Sequence, residues 1–201
     1  MRSAAILAGG RATRFGGRDK SALVVEGRPI VERQLAELSA VADDIMIVGA
    51  GADGARRLQP SEQLRLVADV VPGCGPLGGL HAALTEMRSD RVFVVACDMP
   101  YVDGRFAEYL LSLAGDAAVV VPQTDRGYHP LCAVYTRACL EPVAARLAER
   151  RLALRDLFAE VPTRIVTPAE MSRFGAPSRL LANVNTPDEY AGLDAFKSHK
   201  L

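Results

Sequence analysis

The sequence predicts an α/β fold with a mostly parallel sheet in a single domain. Short runs rich in Val, Ile and Ala alternate with helical patterns along the 201 residues, which is the order of a parallel sheet with crossover helices. The run Arg91–Ala96 is almost continuously apolar, as expected for a strand covered on both faces. No internal repeat or low-complexity linker divides the chain, so we expect one domain over residues 1–201.

The predicted strands are short segments with β-branched or small apolar side chains. In chain order they are Ala4–Leu7, Asp44–Val48, Leu64–Val67, Arg91–Ala96, Ala117–Val121, Leu131–Tyr135 and Thr163–Val166. Ligands of open α/β sheets bind beyond the carboxyl ends of the strands. The loops that follow these strands are therefore where we expect functional residues.

The predicted helices carry apolar residues at three- and four-residue spacing. Pro29 suits a first helical turn, and Val31, Leu35 and Leu38 form one apolar stripe behind it. The helical segments are Pro29–Val41, Pro76–Met87, Phe106–Leu113, Arg137–Arg150, Leu154–Glu160 and Pro187–Phe196. Residues 123–128 interrupt the alternation, and we expect them to mark a change from a nucleotide half to a second half.

Composition excludes several classes of protein. Hydrophobic residues make up 49% and charged residues 24% of the chain, which argues against a disordered protein. Lys+Arg and Asp+Glu both number 24, so the chain has no net positive charge. This balance argues against nucleic-acid binding. No apolar run approaches the roughly 18 residues of a membrane span, and the short apolar start is unlike a signal peptide. We expect a cytoplasmic protein with small-molecule substrates, no membrane partner and four reduced, structural cysteines.

A glycine-rich, cationic loop follows the first strand, from Leu7 to Lys20. Glycines let backbone amides approach phosphate oxygens, and the cations of this loop can donate charge-assisted hydrogen bonds to a polyphosphate. These cations are Arg11, Arg14, Arg18 and Lys20. Neither the Walker pattern nor the dinucleotide-binding pattern fits its glycines. A phosphate-binding loop is the favoured interpretation, and a solvated surface turn is the alternative.

The segment Leu-Ala-Gly-Gly, followed after six residues by Gly-Arg-Asp-Lys, resembles the signature of the molybdenum cofactor nucleotidyltransferases. Its ending is most similar to the guanylyltransferase branch of that family. The resemblance implies a three-layer, Rossmann-like nucleotidyltransferase fold. It also implies that Lys20 contacts the nucleotide phosphates and that Arg14 is a second phosphate cation. The backbone contacts it assigns to the nucleotide come from Leu7, Ala8, Gly9 and Gly10.

The middle loops extend the resemblance. Asp69 stands at the end of the third strand, before Gly75-Pro76-Leu77-Gly78-Gly79. The resemblance implies that Asp69, Gly75 and Gly79 bind the guanine nucleotide, and a carboxylate can accept both N–H groups of a guanine edge. A turn-forming acid is the other interpretation of Asp69. Gly49 stands where the guanylyltransferases carry an Asn, and it can offer a nucleotide only its backbone.

Asp98 ends the most apolar predicted strand, in the sequence Cys-Asp-Met-Pro. A carboxylate at such a place is costly unless it meets a cation, and Mg²⁺ binds one or two carboxylates together with substrate phosphates. In the family this position binds the metal, so the resemblance implies that Asp98 holds Mg²⁺ and is catalytic together with Lys20 and Arg14. A helix N-cap is the alternative role, and Asp103 fills it better.

The second half carries two further motifs. Tyr128-His129-Pro130 and Asn183-Val184-Asn185-Thr186-Pro187 resemble family segments, which implies that His129, Asn183 and Asn185 lie on the molybdopterin side. A structural histidine at a strand edge is the alternative for His129. Sugar-activating relatives often carry Asp where Asn185 stands, so Asn185 favours the molybdenum cofactor branch.

The reaction implied by the resemblance is transfer of GMP from GTP to the phosphate of molybdenum–molybdopterin, with release of pyrophosphate. Such transfers depend on positioning and charge stabilisation, which agrees with the lack of a nucleophilic triad pattern. The alternatives are a CTP-dependent cytidylyltransferase, a sugar-phosphate nucleotidyltransferase and a non-catalytic carrier of the cofactor. Partners would be the small-molecule substrates and the enzymes that make the cofactor or receive the product.

Overall fold

The computed structural model describes residues 1–8, 23–49, 60–69, 71 and 73–184. Strands and helices alternate over these residues, as predicted. The strands are β1 (Ser3–Leu7), β2 (Val24–Val25), β3 (Arg28–Pro29), β4 (Asp44–Val48), β5 (Leu64–Val67), β6 (Arg91–Ala96), β7 (Val119–Thr124), β8 (Gly127–Tyr128), β9 (Cys132–Thr136) and β10 (Thr163–Val166). The α-helices are α1 (Ile30–Leu38), α2 (Gly75–Glu86), α3 (Gly104–Ser112), α4 (Leu140–Ala148), α5 (Pro168–Met171) and α6 (Pro177–Leu180). None of these helices combines the length and the apolarity that crossing a membrane requires.

The central sheet is mixed but mostly parallel, which confirms the predicted fold class. Its strand order is β10-β7-β9-β6-β1-β4-β5, with β8 paired to β7. Strands β5, β4, β1 and β6 run parallel, while β9 lies antiparallel between β6 and β7. Leu7 is in register with both Val48 and Ala96. The carboxyl ends of these neighbouring strands therefore meet at one edge of the sheet.

Helices cover both faces of the sheet and bury two apolar cores. Phe93 and Phe106 belong to the core on the side of α1 and α3, and Val94 and Tyr135 belong to the core on the side of α2 and α4. Because consecutive side chains of a strand point to opposite faces, the nearly continuous apolar run of β6 contributes to both cores. Apolar burial of this kind is the main stabilising contribution to such a three-layer fold.

The buried cysteines are core side chains, as the sequence predicts. Cys132 and Cys139 are almost fully buried, and burial raises the pKa of each thiol to about 12. A thiol with such a pKa stays protonated at neutral pH and is a poor nucleophile.

The edge of the sheet opposite those carboxyl ends is held by a buried carboxylate. Asp44, at the start of β4, is inaccessible to solvent. It forms an ion pair of 2.8 Å with Arg65 and accepts a hydrogen bond of 2.8 Å from the Ser3 hydroxyl. These bonds compensate the cost of burying the charge, so this acid has a structural role.

Several predicted boundaries differ from the structure. The helix predicted over Pro29–Val41 begins at Ile30, because Pro29 belongs to the β2–β3 hairpin, and it ends at Leu38, after which residues 39–41 form a turn. The helix predicted over Arg137–Arg150 begins with a 3₁₀ turn and ends at Ala148, and Arg150 has a left-handed backbone with φ of 58°. The segment predicted as a helix over Leu154–Glu160 is 3₁₀. The interruption at residues 123–128 is the hairpin formed by the end of β7, its turn and β8. The helix predicted over Pro187–Phe196 lies outside the described residues.

Candidate active site

The candidate site lies at the carboxyl edge of the parallel strands. Ala8 follows β1, Gly49 follows β4, Asp69 follows β5 and Asp98 follows β6. These four strands are neighbours in the order β5-β4-β1-β6, so three strand spacings, or about 14 Å, separate the first from the last. The topology thus places four sequence-predicted positions along one edge.

A cavity of about 840 Å³ opens at the end of β6. Asp98, His129 and Asn183 all line it, although they come from three distant parts of the sequence. The structure therefore brings together the predicted metal ligand and two residues predicted for the molybdopterin side. The other lining residues are Ala96, Met99, Thr124, Asp125, Arg126, Tyr128, Pro130, Leu131, Pro168, Pro177, Ser178, Leu181 and Ala182.

Gln34 of α1 holds the turn that carries Asp98. Its buried side-chain amide donates hydrogen bonds of 2.7 Å to the Ala96 carbonyl and 2.9 Å to the Met99 carbonyl. The Asp98 carbonyl accepts a hydrogen bond of 2.9 Å from the amide of Val184. Sequence analysis missed Gln34 because a single polar residue within an apolar helical stripe carries no motif. The predicted N-cap role of Asp103 is confirmed, since its side chain accepts the Phe106 amide at the start of α3.

The β7–β8 hairpin supplies the other side of the cavity. Its turn places Arg126 at the cavity and Thr124 beside His129, with 3.0 Å between the Thr124 hydroxyl and Nε2 of His129. Burial lowers the pKa of His129 below its ordinary value, and the charge of Arg126 lowers it further. His129 is therefore mostly neutral at pH 7. Arg126 was missed in the sequence because it lies in the segment that interrupted the strand and helix pattern.

Asp69 lies in a tight turn against the start of α2. Its Oδ1 accepts a hydrogen bond of 3.2 Å from the Val71 amide, so the turn-forming role considered for this acid is present in the structure. A Cβ on Gly78 would lie only 3.0 Å from both Asp69 Oδ1 and the Val71 carbonyl oxygen. A Cβ on Gly79 would lie 3.3 Å from a methyl group of Leu7. The two helical glycines thus let α2 approach both Asp69 and the end of β1, and Gly78 is a further site residue that the sequence analysis did not select.

The N-terminus of α2 lacks a side-chain cap from its own N-cap residue. The first turn contains no acidic residue, and Cys74 at the N-cap makes no side-chain capping bond. The unsatisfied amides and the dipole of a helix start favour negative charge. Gly75, the first residue of α2, has φ of 58°, which favours glycine at this position.

The backbone groups predicted for the nucleotide are partly engaged in the sheet. The Leu7 carbonyl accepts the Cys97 amide at 3.1 Å, and the Ala8 amide donates to the Val48 carbonyl at 2.8 Å. The Gly49 amide donates to the Val67 carbonyl at 3.0 Å, and its φ of 95° is a conformation that side chains rarely adopt. The predicted residues Gly9, Gly10, Arg14, Lys20 and Asn185 lie outside the described residues.

Comparison with known proteins identifies the family. The model of the MobA-like NTP transferase domain matches residues 4–165. A probable molybdenum cofactor guanylyltransferase from Methanosarcina acetivorans is 34% identical over 94% of this chain and 88% of its own length. A relative with the same name from Pelotomaculum thermopropionicum is 32% identical over 92% and 87%.

A solved structure has the same fold. The molybdopterin-guanine dinucleotide biosynthesis protein A from Archaeoglobus fulgidus superposes with a TM-score of 0.81, covers 98% of both chains and is 23% identical. The family model and the two sequence relatives agree on the family, and the solved structure agrees with the fold. The chain therefore belongs to the MobA-like NTP transferase family, and it is a nucleotidyltransferase.

Proposed function

We propose that this protein transfers GMP from GTP to the phosphate of molybdenum–molybdopterin and releases pyrophosphate. The observation that carries the proposal is the cavity in which Asp98, His129 and Asn183 meet. Its volume of about 840 Å³ is within the usual range for small-molecule sites. The guanylyltransferase names of relatives at 34% and 32% identity support this pair of substrates.

The two substrates would bind at different parts of the carboxyl edge of the sheet, within the single domain. GTP would lie over the ends of β1, β4 and β5, where Asp69 and the uncapped start of α2 are found. Molybdenum–molybdopterin would occupy the cavity beyond β6. Asp98 lies where these two regions meet, so the reacting phosphates would approach each other beside it. The proposal extends to a cytoplasmic location and to partner enzymes that supply the cofactor or receive the dinucleotide.

Asp98 fits the role of a Mg²⁺ ligand. The residue lines the cavity, and a carboxylate is the hard oxygen donor that Mg²⁺ prefers. Within the described ranges, no group of three His, Cys, Asp or Glu residues could form an all-protein metal cage. This agrees with a metal that is completed by substrate phosphates and water. Bound Mg²⁺ would supply positive charge for the phosphates around the reacting phosphorus.

The protein would accelerate the reaction by binding the charged phosphate groups at fixed positions. Lys20 and Arg14 would bind the pyrophosphate as it leaves, because charge develops on its oxygens in the transition state. His129 and Asn183 would orient the molybdopterin, and Arg126 would supply a positive charge to its phosphate. Holding the attacking phosphate oxygen in line with the leaving group accounts for a large part of the acceleration in such reactions.

Asp69 would read the base. One of its oxygens accepts the Val71 amide, and the carboxylate as a whole has further lone pairs for the two N–H groups of a guanine edge. Cytosine presents no such pair of adjacent ring and exocyclic donors. Gly49 would contribute only its carbonyl to the base pocket, because its amide is bonded to Val67.

A single-turnover assay tests the proposal. Purified protein, Mg²⁺ and molybdenum cofactor are mixed with GTP, CTP, ATP or UTP in turn, and the dinucleotide is detected by mass spectrometry. We expect product from GTP alone. Product from CTP would contradict the proposed role of Asp69, and cofactor binding without any product would leave the carrier alternative in place of the enzyme.

A further inference from the structure

Glu26 occupies a backbone conformation that glutamate rarely adopts. It has φ of 50°, and Gly27 after it has φ of 81°. These two residues join β2 to β3, and positive φ at both central positions is the pattern of a type I′ turn, in which Asn, Asp or Gly are preferred. A strained non-glycine residue of this kind persists when the surrounding structure makes use of it.

The Glu26 carboxylate joins two arginines and a tyrosine. Oε2 lies 3.1 Å from a guanidinium nitrogen of Arg33, and Oε1 lies 3.4 Å from one of Arg179. The Tyr101 hydroxyl donates to Oε1 at 3.3 Å, and the Arg179 guanidinium carbon lies 3.9 Å from the Tyr101 ring centre. Burial raises the pKa of Glu26, but the two arginines and Tyr101 together bring it below its ordinary value. We call Glu26, Arg33, Tyr101 and Arg179 the Glu26 cluster.

One arm of the Glu26 cluster reaches the turn after β6. Arg33 donates a hydrogen bond of 3.2 Å to the Pro100 carbonyl, and another of 3.4 Å to the Val25 carbonyl. Pro100 and Tyr101 follow Asp98 by two and three residues. The cluster therefore holds the segment that begins with Asp98.

The other arm reaches the segment that carries Asn183. Arg179 belongs to α6, and residues 181–184 follow directly. The same part of the molecule contains a small buried apolar cluster. It consists of Val25, Ile30, Tyr101 and Val184, with Leu23 and Ala182 packed against it. Ala182 and Val184 flank Asn183, so this packing fixes the segment on both sides of it.

We propose that Glu26 is a positioning residue, which holds residues 177–184 against the turn after β6 and so sets the spacing of Asn183 and Asp98. Glu26 does not itself line the cavity that contains them. It acts on residues 181–183 of the cavity lining through Arg179, and on Asp98 and Met99 of the lining through Arg33 and Tyr101. The catalytic consequence of this inference rests on the proposed function, whereas the structural coupling does not.

Three variants distinguish the effect of the Glu26 carboxylate from the effect of the turn conformation. Glu26→Asn removes the reach and charge of the side chain but keeps a residue that suits the left-handed turn. Glu26→Gln keeps a side-chain oxygen that can accept from the arginines and Tyr101. Glu32→Asn is the matched control, because Glu32 is an exposed acid in the first turn of α1 and lies outside the Glu26 cluster.

The kinetic test compares kcat and KM for both substrates. For Glu26→Asn we expect kcat/KM for the molybdenum cofactor to fall about tenfold, since small misplacements of reacting groups are costly, while KM for GTP stays within about twofold. Glu26→Gln should recover part of the loss, and Glu32→Asn should match the wild type. Thermal unfolding should change little, because relief of the turn strain offsets the loss of the two partly exposed ion pairs. Wild-type kinetics in Glu26→Asn would overturn the catalytic consequence.

Amide hydrogen exchange tests the coupling without any substrate. The Val184 amide is bonded to the Asp98 carbonyl, so in Glu26→Asn its exchange should become about tenfold faster through local opening. Exchange at Val94, in the centre of β6, should stay unchanged. An unchanged rate at Val184 would overturn the coupling itself. If the wild-type protein transfers no GMP, the proposed function fails, and the exchange rates still decide whether Glu26 positions this segment.

Discussion

The amide of Val184 donates a hydrogen bond of 2.9 Å to the carbonyl of Asp98. This bond joins the last described segment of the chain to the end of β6, nearly ninety residues earlier. As a result, Asn183 lies at the same cavity as the predicted metal ligand. If two substrates are to react beside Asp98, the residues that bind each of them have to lie close to it. The bond from Val184 brings Asn183 to that place.

Replacing Asp98 by Asn should abolish most of the activity. We expect kcat to fall about a thousandfold, because the metal would lose its carboxylate ligand and with it several kcal/mol of charge stabilisation. Stability should change much less than activity, since Asn keeps the shape of the side chain and the backbone bond to Val184 remains. Single-turnover rates over a range of Mg²⁺ concentrations measure the effect. Asp116→Asn, at an exposed position before β7, is the control, and wild-type rates in Asp98→Asn would contradict the assignment.

His129 should make the protein less stable in mild acid. Its folded-state pKa lies below the ordinary value of 6.5 because of burial and of Arg126, so the unfolded chain binds the proton more readily. The free energy of unfolding should therefore fall as the pH drops through 6.5. His129→Asn removes this contribution, and its stability should depend less on pH between 7 and 5. Denaturant titrations at several pH values measure the difference, and parallel curves for the two proteins would refute it.

Much of the fold could be predicted because its signals are local. The strands β1, β4, β5 and β6 are buried apolar runs between turn residues, and they appear within one residue of their predicted bounds. The β2–β3 hairpin could not be predicted, because its strands have two residues each and Glu26–Gly27 is not a common turn pair. The four-residue helices α5 and α6 are too short to show a helical period.

Of the candidate site, only the residues that lie within a motif could be predicted from the sequence. Asp98, His129 and Asn183 stand in recognisable segments, and the structure brings them to one cavity. Gln34 and Glu26 act through contacts 60 to 150 residues away along the chain, and no local pattern reports such contacts. The sequence therefore indicates the cavity residues that stand in motifs better than the residues that position them.

Glu170 should stabilise the cavity wall formed around α5. Its carboxylate accepts the Thr167 amide in a capping box, accepts the Tyr109 hydroxyl and pairs with Arg164. The Thr167 amide is the main reason why the pKa of Glu170 is lowered to about 2. Glu170→Gln keeps an acceptor oxygen but loses the negative charge, which weakens these bonds, so the free energy of unfolding at pH 7 should fall by about 1 kcal/mol. Glu141→Gln, an exposed acid in the first turn of α4, should have no comparable effect.

The pH dependence of the free energy of unfolding shows whether the ionised Glu170 carboxylate is the source of this effect. A carboxylate whose folded-state pKa is lowered contributes its full stability above the unfolded value, and it loses this contribution as the pH falls towards the folded value. For Glu170 this window runs from the ordinary value of 4.5 down to about 2. The difference between wild type and Glu170→Gln should shrink across the window. A constant difference from pH 7 to pH 2 would show that the ionised carboxylate is not its source.

Gly78→Ala tests the base-reading role of Asp69. The new Cβ would lie 3.0 Å from Asp69 Oδ1 and from the Val71 carbonyl oxygen, so the carboxylate has to move. The overlap costs about 1–3 kcal/mol, and the higher helix propensity of Ala returns up to about 1 kcal/mol, so the net loss of stability should lie between about 0 and 3 kcal/mol. The Kd for GTP should rise about tenfold, because a hydrogen bond to a charged group is worth at least that much. Gly115→Ala, where a Cβ meets nothing within 4 Å, should leave both quantities unchanged, and an unchanged Kd in Gly78→Ala would count against Asp69 as the residue that recognises guanine.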